Sequence, residues 1–272
     1  MERDESKEAE MFLNALRNCD DEIARLGCCG DRTPCNCEES LMADYHERND
    51  SYTCQKKMDT YVIKYGPSYV SEIYYYLVKS QLLYKYQNSP LNVISLGCGF
   101  APDYYALQKY NIDHRLNIQL SYQGLDMSTS WNTARPQIGA NCQFRQVDLT
   151  RPFSLQGADI VFVCKSFSTM YRNGQGEKFL NQLVSAINNH LTIGSVVVFI
   201  DVNLNDFGRD EFHTQVSPIV SSNTQYFFRG STYTRPNWIE IQSTDIIYDI
   251  DPNFSVDSID HTNKTIVFEY RK

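Results

Sequence analysis

The sequence contains no run of eighteen apolar residues, and its first twenty residues are acidic, with no apolar stretch long enough for a secretory leader. No membrane span is expected from the first absence, and no export from the second, which leaves the cytoplasm as the expected compartment. An excess of basic charge is also missing. Lys and Arg number 25 against 33 Asp and Glu, a formal charge of −8, so a uniformly basic nucleic-acid binder is excluded. The imbalance is local. Residues 1–50 hold fourteen acids and six bases, and the remainder holds nineteen of each. A polyanionic ligand such as RNA therefore stays possible without being favoured. No internal repeat or low-complexity tract is present. Nine cysteines, an odd number in a chain with no export signal, read as reduced thiols rather than a disulfide framework.

What is present divides near residue 90. Phe12, Leu16, Cys19, Ile23 and Leu26 recur at helical spacing, which predicts an amphipathic helix over 6–26. Residues 28–60 are polar and read as irregular. Gly66-Pro67-Ser68 then punctuates the chain, and the reading places a helix over 67–86, with proline in its first turn. Ten of the nineteen tyrosines lie between Tyr45 and Tyr86, with Tyr61, Tyr65 and Tyr69 at helical spacing. They read either as packing of this segment onto a core or as a lid. Residues 1–89 are accordingly taken as an N-terminal helical, Cys- and Tyr-rich cap, and 90–272 as the core domain.

Beyond residue 90 short β-rich runs appear at 92–96, 120–126, 142–148, 158–164 and 194–202. The last two are continuously apolar, as strands covered on both faces must be. A helical face over 177–191 separates them. Strand, helix and strand in alternation predict an α/β fold with a doubly wound, mostly parallel sheet of seven strands. The runs 238–250 and 263–271 lack a strong intervening helix and are expected to form an antiparallel C-terminal hairpin. The insertion 203–237, with Tyr226-Phe227-Phe228, reads as a substrate-recognition region.

The segment Asn92-Val-Ile-Ser-Leu-Gly97-Cys98-Gly99-Phe-Ala-Pro102-Asp103 carries the chemistry. A buried strand runs into Gly-x-Gly and on into a helix, and glycine there allows positive φ and close approach of a ligand to bare backbone. Asp126 ends the second strand, where a carboxylate can accept hydrogen bonds from a ribose diol. Asp148 ends the third, placed to meet an exocyclic amine. A helix cap explains either acid alone. Three consecutive strand ends bearing Gly-x-Gly, Asp and Asp are harder to explain by capping.

On these residues the chain resembles the class I S-adenosylmethionine-dependent methyltransferases over roughly 90–272. The resemblance implies a Rossmann-like fold and S-adenosylmethionine as cofactor. It places Gly97, Cys98 and Gly99 against the methionine and ribose portions, Asp126 on the ribose hydroxyls, Met127 beside the adenine, Asp148 on the adenine amine and Leu149 on the ring. Lys165, at the end of the fourth strand with Ser166, would face the methyl group and acceptor. One position departs from the family, which usually has an acid two places before the first glycine; here Ser95 stands there, and Asp103 is a candidate replacement.

The acceptor is expected to be a small organic molecule or a protein side chain. Candidate catalytic groups are Lys165, Tyr171 and Asp201, each more readily read as structural or substrate-orienting than as a base. The Asn-Pro-Pro-Tyr tetrapeptide of exocyclic-amine methyltransferases is missing after the fourth strand, and Cys164 lacks the preceding proline that covalent attack on a pyrimidine would call for. Two alternatives stay open: a cofactor-binding regulatory module without turnover, and an NAD-dependent oxidoreductase, whose third fingerprint glycine would fall at Pro102. Cys28, Cys29, Cys35 and Cys37, with Cys19, His46 and Cys54 nearby, are too closely spaced for a standard zinc site, and no metal is expected.

Overall fold

The computed structural model describes residues 10–26, 37–47, 54–231, 233–262 and 264–272. In chain order these form helices α1 (Met11–Arg25), α2 (Cys37–Glu47) and α3 (Gln55–Ser80), strand β1 (Pro90–Leu96), helix α4 (Pro102–Asp113) and strands β2 (Gln119–Asp126), β3 (Cys142–Gln146) and β4 (Ile160–Cys164). Helices α5 (Phe167–Arg172) and α6 (Gly176–His190), strand β5 (Val196–Val202), helix α7 (Arg209–Val216) and strands β6 (Ser222–Phe228), β7 (Ile239–Ile241) and β8 (Thr265–Arg271) follow. No helix among the described residues is long and apolar enough to cross a membrane.

The strands form one sheet in the order β3-β2-β1-β4-β5-β8-β6-β7. The first five are parallel, and β8 runs antiparallel to both β5 and β6. This is the doubly wound, Rossmann-like α/β arrangement expected, with helices on both faces. Side chains alternate between two apolar layers. Val93, Ile160, Phe162, Val196 and Val198 meet residues of α1, α3 and α4; Ile94, Val161, Val163, Val197 and Phe199 meet α6 and α7. Coverage on both faces is why 160–164 and 196–201 show no polar alternation. The described helices α1 and α3 share one continuous core with the sheet, from Phe12 to Val267.

The sheet has eight strands rather than seven, and its C-terminal antiparallel pair has a different partner from the one expected. The additional strand is β6, inside the stretch read as a recognition insertion. Tyr226 and Phe228 are buried in the core, with the Tyr226 ring 5.5 Å from Tyr76. Residues 238–250 contribute only three-residue β7, which lies parallel to β6. The six buried residues from Thr265 to Tyr270 require neighbours on both sides, and β5 and β6 supply them.

Two local expectations are corrected. The stretch read as irregular holds α2 and the start of α3, and α3 runs without a break through Pro67. Proline removes the N–H that would bond the carbonyl of Ile63, a serious penalty in an isolated helix. Here the Ser258 hydroxyl donates to Ile63 O at 2.7 Å, and the Ile259 amide to Lys64 O at 2.9 Å. The irregular chain between β7 and β8 thus satisfies the carbonyls that the proline frees. Cys28, Cys29, Cys35 and the side chain of His46 lie outside what the structure describes. Among the described residues no three His, Cys, Asp or Glu side chains gather as a metal site.

Candidate active site

The strand order reverses between β1 and β4, and the carboxyl ends of these strands and of β2 open into a cleft of about 570 Å³. Ligands bind at such a switch point because the connections diverge to opposite faces and leave a crevice. Its lining includes Gly97, Cys98, Gly99, Asp126, Met127, Asp148, Leu149 and Lys165, so the structure brings together every residue assigned to the cofactor from sequence. Tyr61, Tyr69 and Trp131 line it as well.

The glycine turn is left-handed, with φ of +64° at Gly97 and +52° at Gly99. A Cβ on Gly97 would fall 2.6 Å from Cβ of Ser166, so only bare backbone fits between β1 and the turn after β4. Four of the loop's amides are occupied. Gly97 and Cys98 donate to Leu125 O at 2.8 and 3.2 Å, Ala101 donates to Cys98 O at 2.7 Å, and Gly99 donates to Oδ2 of Asp126 at 2.8 Å. Pro102, at the start of α4, has no N–H to offer.

Asp126 also accepts from the Ser128 amide through Oδ1 at 2.8 Å. Burial pushes its carboxyl above the usual range, opposed by these two amides and by Arg135. Each oxygen keeps a second lone pair for a ligand hydroxyl. Arg135, which sequence reasoning missed, donates to Gly99 O at 2.8 Å and to Ser128 O at 3.2 Å, binding the loop after β2 to the glycine turn. Nothing in the local pattern of 127–135 marks it. Asp148 lines the cleft while also capping its own turn: the Thr150 hydroxyl and amide reach Oδ1 at 2.6 and 3.0 Å. Those bonds hold its carboxyl below the usual range. Met127 is 53% exposed and Leu149 buried, and both border the cleft.

The three catalytic candidates do not act together. Lys165 borders the cleft, but its ammonium is buried against Glu72 of α3, at 2.8 Å from Oε2, and contacts Thr265 Oγ1. Its backbone is left-handed at φ +53°, an unusual state for a lysine. Asp201 is buried outside the cleft, where it accepts from the amides of Ser168 at 2.9 Å and Val202 at 2.8 Å and so caps α5. Tyr171 is also outside, with its ring packed beside Phe167 at 5.9 Å between centroids. Cys164 and Cys98 are buried thiols whose burial raises their pKa well above the ordinary value. Ser95 and Asp103 are buried beneath the glycine turn. Tyr122 donates to Asp103 Oδ1 at 3.0 Å, and the Ser95 hydroxyl lies beside the same carboxyl. Burial raises the Asp103 carboxyl to about 6. Asp103 does not border the cleft directly.

No protein-family model and no curated protein matches the chain. Among solved structures it is similar to the plantazolicin methyltransferase BpumL, solved with a monoazolic desmethylPZN analog and SAH, at 11% identity over 96% of this chain and 99% of that one, with a TM-score of 0.45. It is also similar to DhpI in a SAM–HEP complex, at 17% identity over 86% and 97% of the two chains, TM-score 0.41. A third is the N-methyltransferase NodS from Bradyrhizobium japonicum WM9 with S-adenosyl-L-homocysteine, at 10% identity over 72% and 86%, TM-score 0.41.

Proposed function

We propose that the chain is an S-adenosylmethionine-dependent methyltransferase. One observation carries this reading: the turn after β1 borders the cleft with bare backbone, yet four of its amides, at Gly97, Cys98, Gly99 and Ala101, are already bonded within the protein, and Pro102 at the helix start has none to give. A pyrophosphate needs such amides free at a helix start. A nucleoside without phosphates needs only an open approach and an acceptor for its sugar, and the turn and Asp126 supply both. That same accounting disfavours the dinucleotide alternative.

The residues present fit the cofactor. Asp126 would hold the ribose hydroxyls, Asp148 the base amine, and Met127 and Leu149 the faces of the ring. When bound, the sulfonium supplies an electrophilic methyl group, and the protein's task is positioning. Orientation of two reactants can account for about 7–11 kcal/mol of barrier lowering. Tyr61, Tyr69 and Trp131 wall the cleft against water. Cys164, beside Lys165 in the lining, stays a thiol through burial and so does not compete as a thiolate nucleophile.

The test is incubation with methyl-labelled S-adenosylmethionine and separated metabolite, protein and RNA fractions. Label entering one fraction supports the reading and names the acceptor pool. Cofactor binding with no label in any fraction overturns turnover and leaves a binding module.

A further inference from the structure

The wall of the cleft formed by α3 and the loop after β2 has a specific lining. Tyr61 and Tyr69 lie two turns apart on α3, with ring centroids 6.0 Å apart and hydroxyls joined at 3.3 Å. Trp131 meets Tyr61 edge-on at 5.8 Å. All three border the cleft. Lys165 sits with its ammonium 4.9 Å from the Tyr69 ring centroid, but Glu72 compensates its charge. This wall therefore offers aromatic faces and a neutralised ion pair.

The titratable groups that line the cleft have other work. Asp126 and Asp148 hold backbone and turn donors, Lys165 is paired, Cys98 and Cys164 are kept as thiols, and Tyr61 and Tyr69 bond each other. Among the described residues that line the cleft, none is arranged to take a proton from an acceptor. An aliphatic amine, with a pKa near ~10.4, carries a free lone pair in less than roughly one molecule in a thousand at pH 7, and needs such a base. A ring nitrogen of the imidazole kind, with a pKa near ~6.5, arrives mostly neutral and does not.

We infer that the methyl acceptor is a planar, weakly basic aromatic nitrogen compound, held by its ring against Tyr61 and Tyr69; the inference rests on the methyl-transfer reading above. The nitrogen lone pair forms the new N–C bond as the carbon–sulfur bond breaks and its electron pair passes to sulfur. Positive charge moves from sulfur to the ring nitrogen, and any N-bound proton then leaves to water. The methylated ring emerges as a cation beside two electron-rich faces, which stabilise it.

Benzimidazole serves as probe, with benzylamine and n-butylamine as comparisons. In calorimetry on the full chain loaded with S-adenosylhomocysteine, benzimidazole should bind, and the Tyr61→Leu/Tyr69→Leu variant should bind it about tenfold more weakly. Each variant is titrated with S-adenosylhomocysteine first and kept saturated with it, so that the loss read is that of benzimidazole alone, and Tyr61→Phe/Tyr69→Phe, which keeps both rings, should restore benzimidazole binding. In the transfer assay at pH 7 benzimidazole should exceed benzylamine by about a hundredfold in kcat/KM, with benzylamine gaining roughly tenfold per pH unit up to pH 9. Equal use of benzylamine at pH 7, or no benzimidazole binding to the loaded chain, overturns the inference and leaves methyl transfer standing. Failure of S-adenosylhomocysteine itself to bind overturns the underlying reading, and the acceptor assignment with it.

Discussion

The amide of Gly99 donates to Oδ2 of Asp126 across 2.8 Å, fixing the glycine turn after β1 to the end of β2. On the proposed function the carboxylate would be both the acceptor for the sugar and the brace of the surface the sugar lies on. Asp126→Ala removes both roles. We expect cofactor affinity to fall by about 1.5–3 kcal/mol, roughly ten- to a hundredfold, as for other hydrogen bonds to a charged group. Equilibrium titration of the variant checks this.

Glu72 and Lys165 form a buried pair at 2.8 Å, both side chains at most 5% exposed. Glu72→Gln strands the ammonium in a dry site, and the expected cost is about 3–5 kcal/mol in urea unfolding. Removing both charges with Glu72→Gln/Lys165→Met should recover most of that loss. If the single change costs no more than the double, the pair is not carrying a compensated charge.

Asp103 sets a pH dependence. Its folded pKa of about 6 stands above the usual carboxylate value because the group is buried. The folded chain therefore holds the proton more tightly than the unfolded chain. The stabilising contribution is full below the unfolded pKa, near ~3.9, and is lost as pH rises through about 6. Asp103→Asn keeps an acceptor for Tyr122 and carries no charge. It should raise unfolding stability at pH 8, by at most ~3 kcal/mol, with the gain shrinking toward pH 4.5. Urea midpoints at the two pH values decide it.

Gly97→Ala forces a methyl to 2.6 Å from Ser166 Cβ at a left-handed position. The expected cost is about 1–3 kcal/mol in stability, from strain and overpacking. Cofactor binding should weaken as well, because the new methyl wedges the turn away from β4. Thermal unfolding and titration of the same sample separate the two effects.

The parts of this site that are legible in the sequence are those written locally. Strand, glycine turn and helix occur within Asn92–Asp103, and Asp126 ends a run whose apolar spacing is plain. The rest is written at a distance. Pro67 reads as a helix start because the donors that tolerate it, Ser258 and Ile259, belong to the other end of the chain. Lys165 reads as a catalytic candidate because its partner Glu72 lies on a helix far upstream. Asp201 ends a strand as a catalytic acid would, and only the Ser168 amide reveals it as a cap. Strand β6 escapes notice because its first half is polar and exposed, leaving no alternation to see.

The central claim is that the cleft at the head of the sheet accepts a phosphate-free sulfonium nucleoside pinned by Asp126. Its most direct test is calorimetric titration of the full chain with S-adenosylhomocysteine, repeated with Asp126→Ala and with NAD. The account predicts saturable one-to-one binding, weakened at least roughly tenfold by the substitution, and no comparable heat with NAD. Absence of binding, or equal affinity in parent and variant, would contradict it.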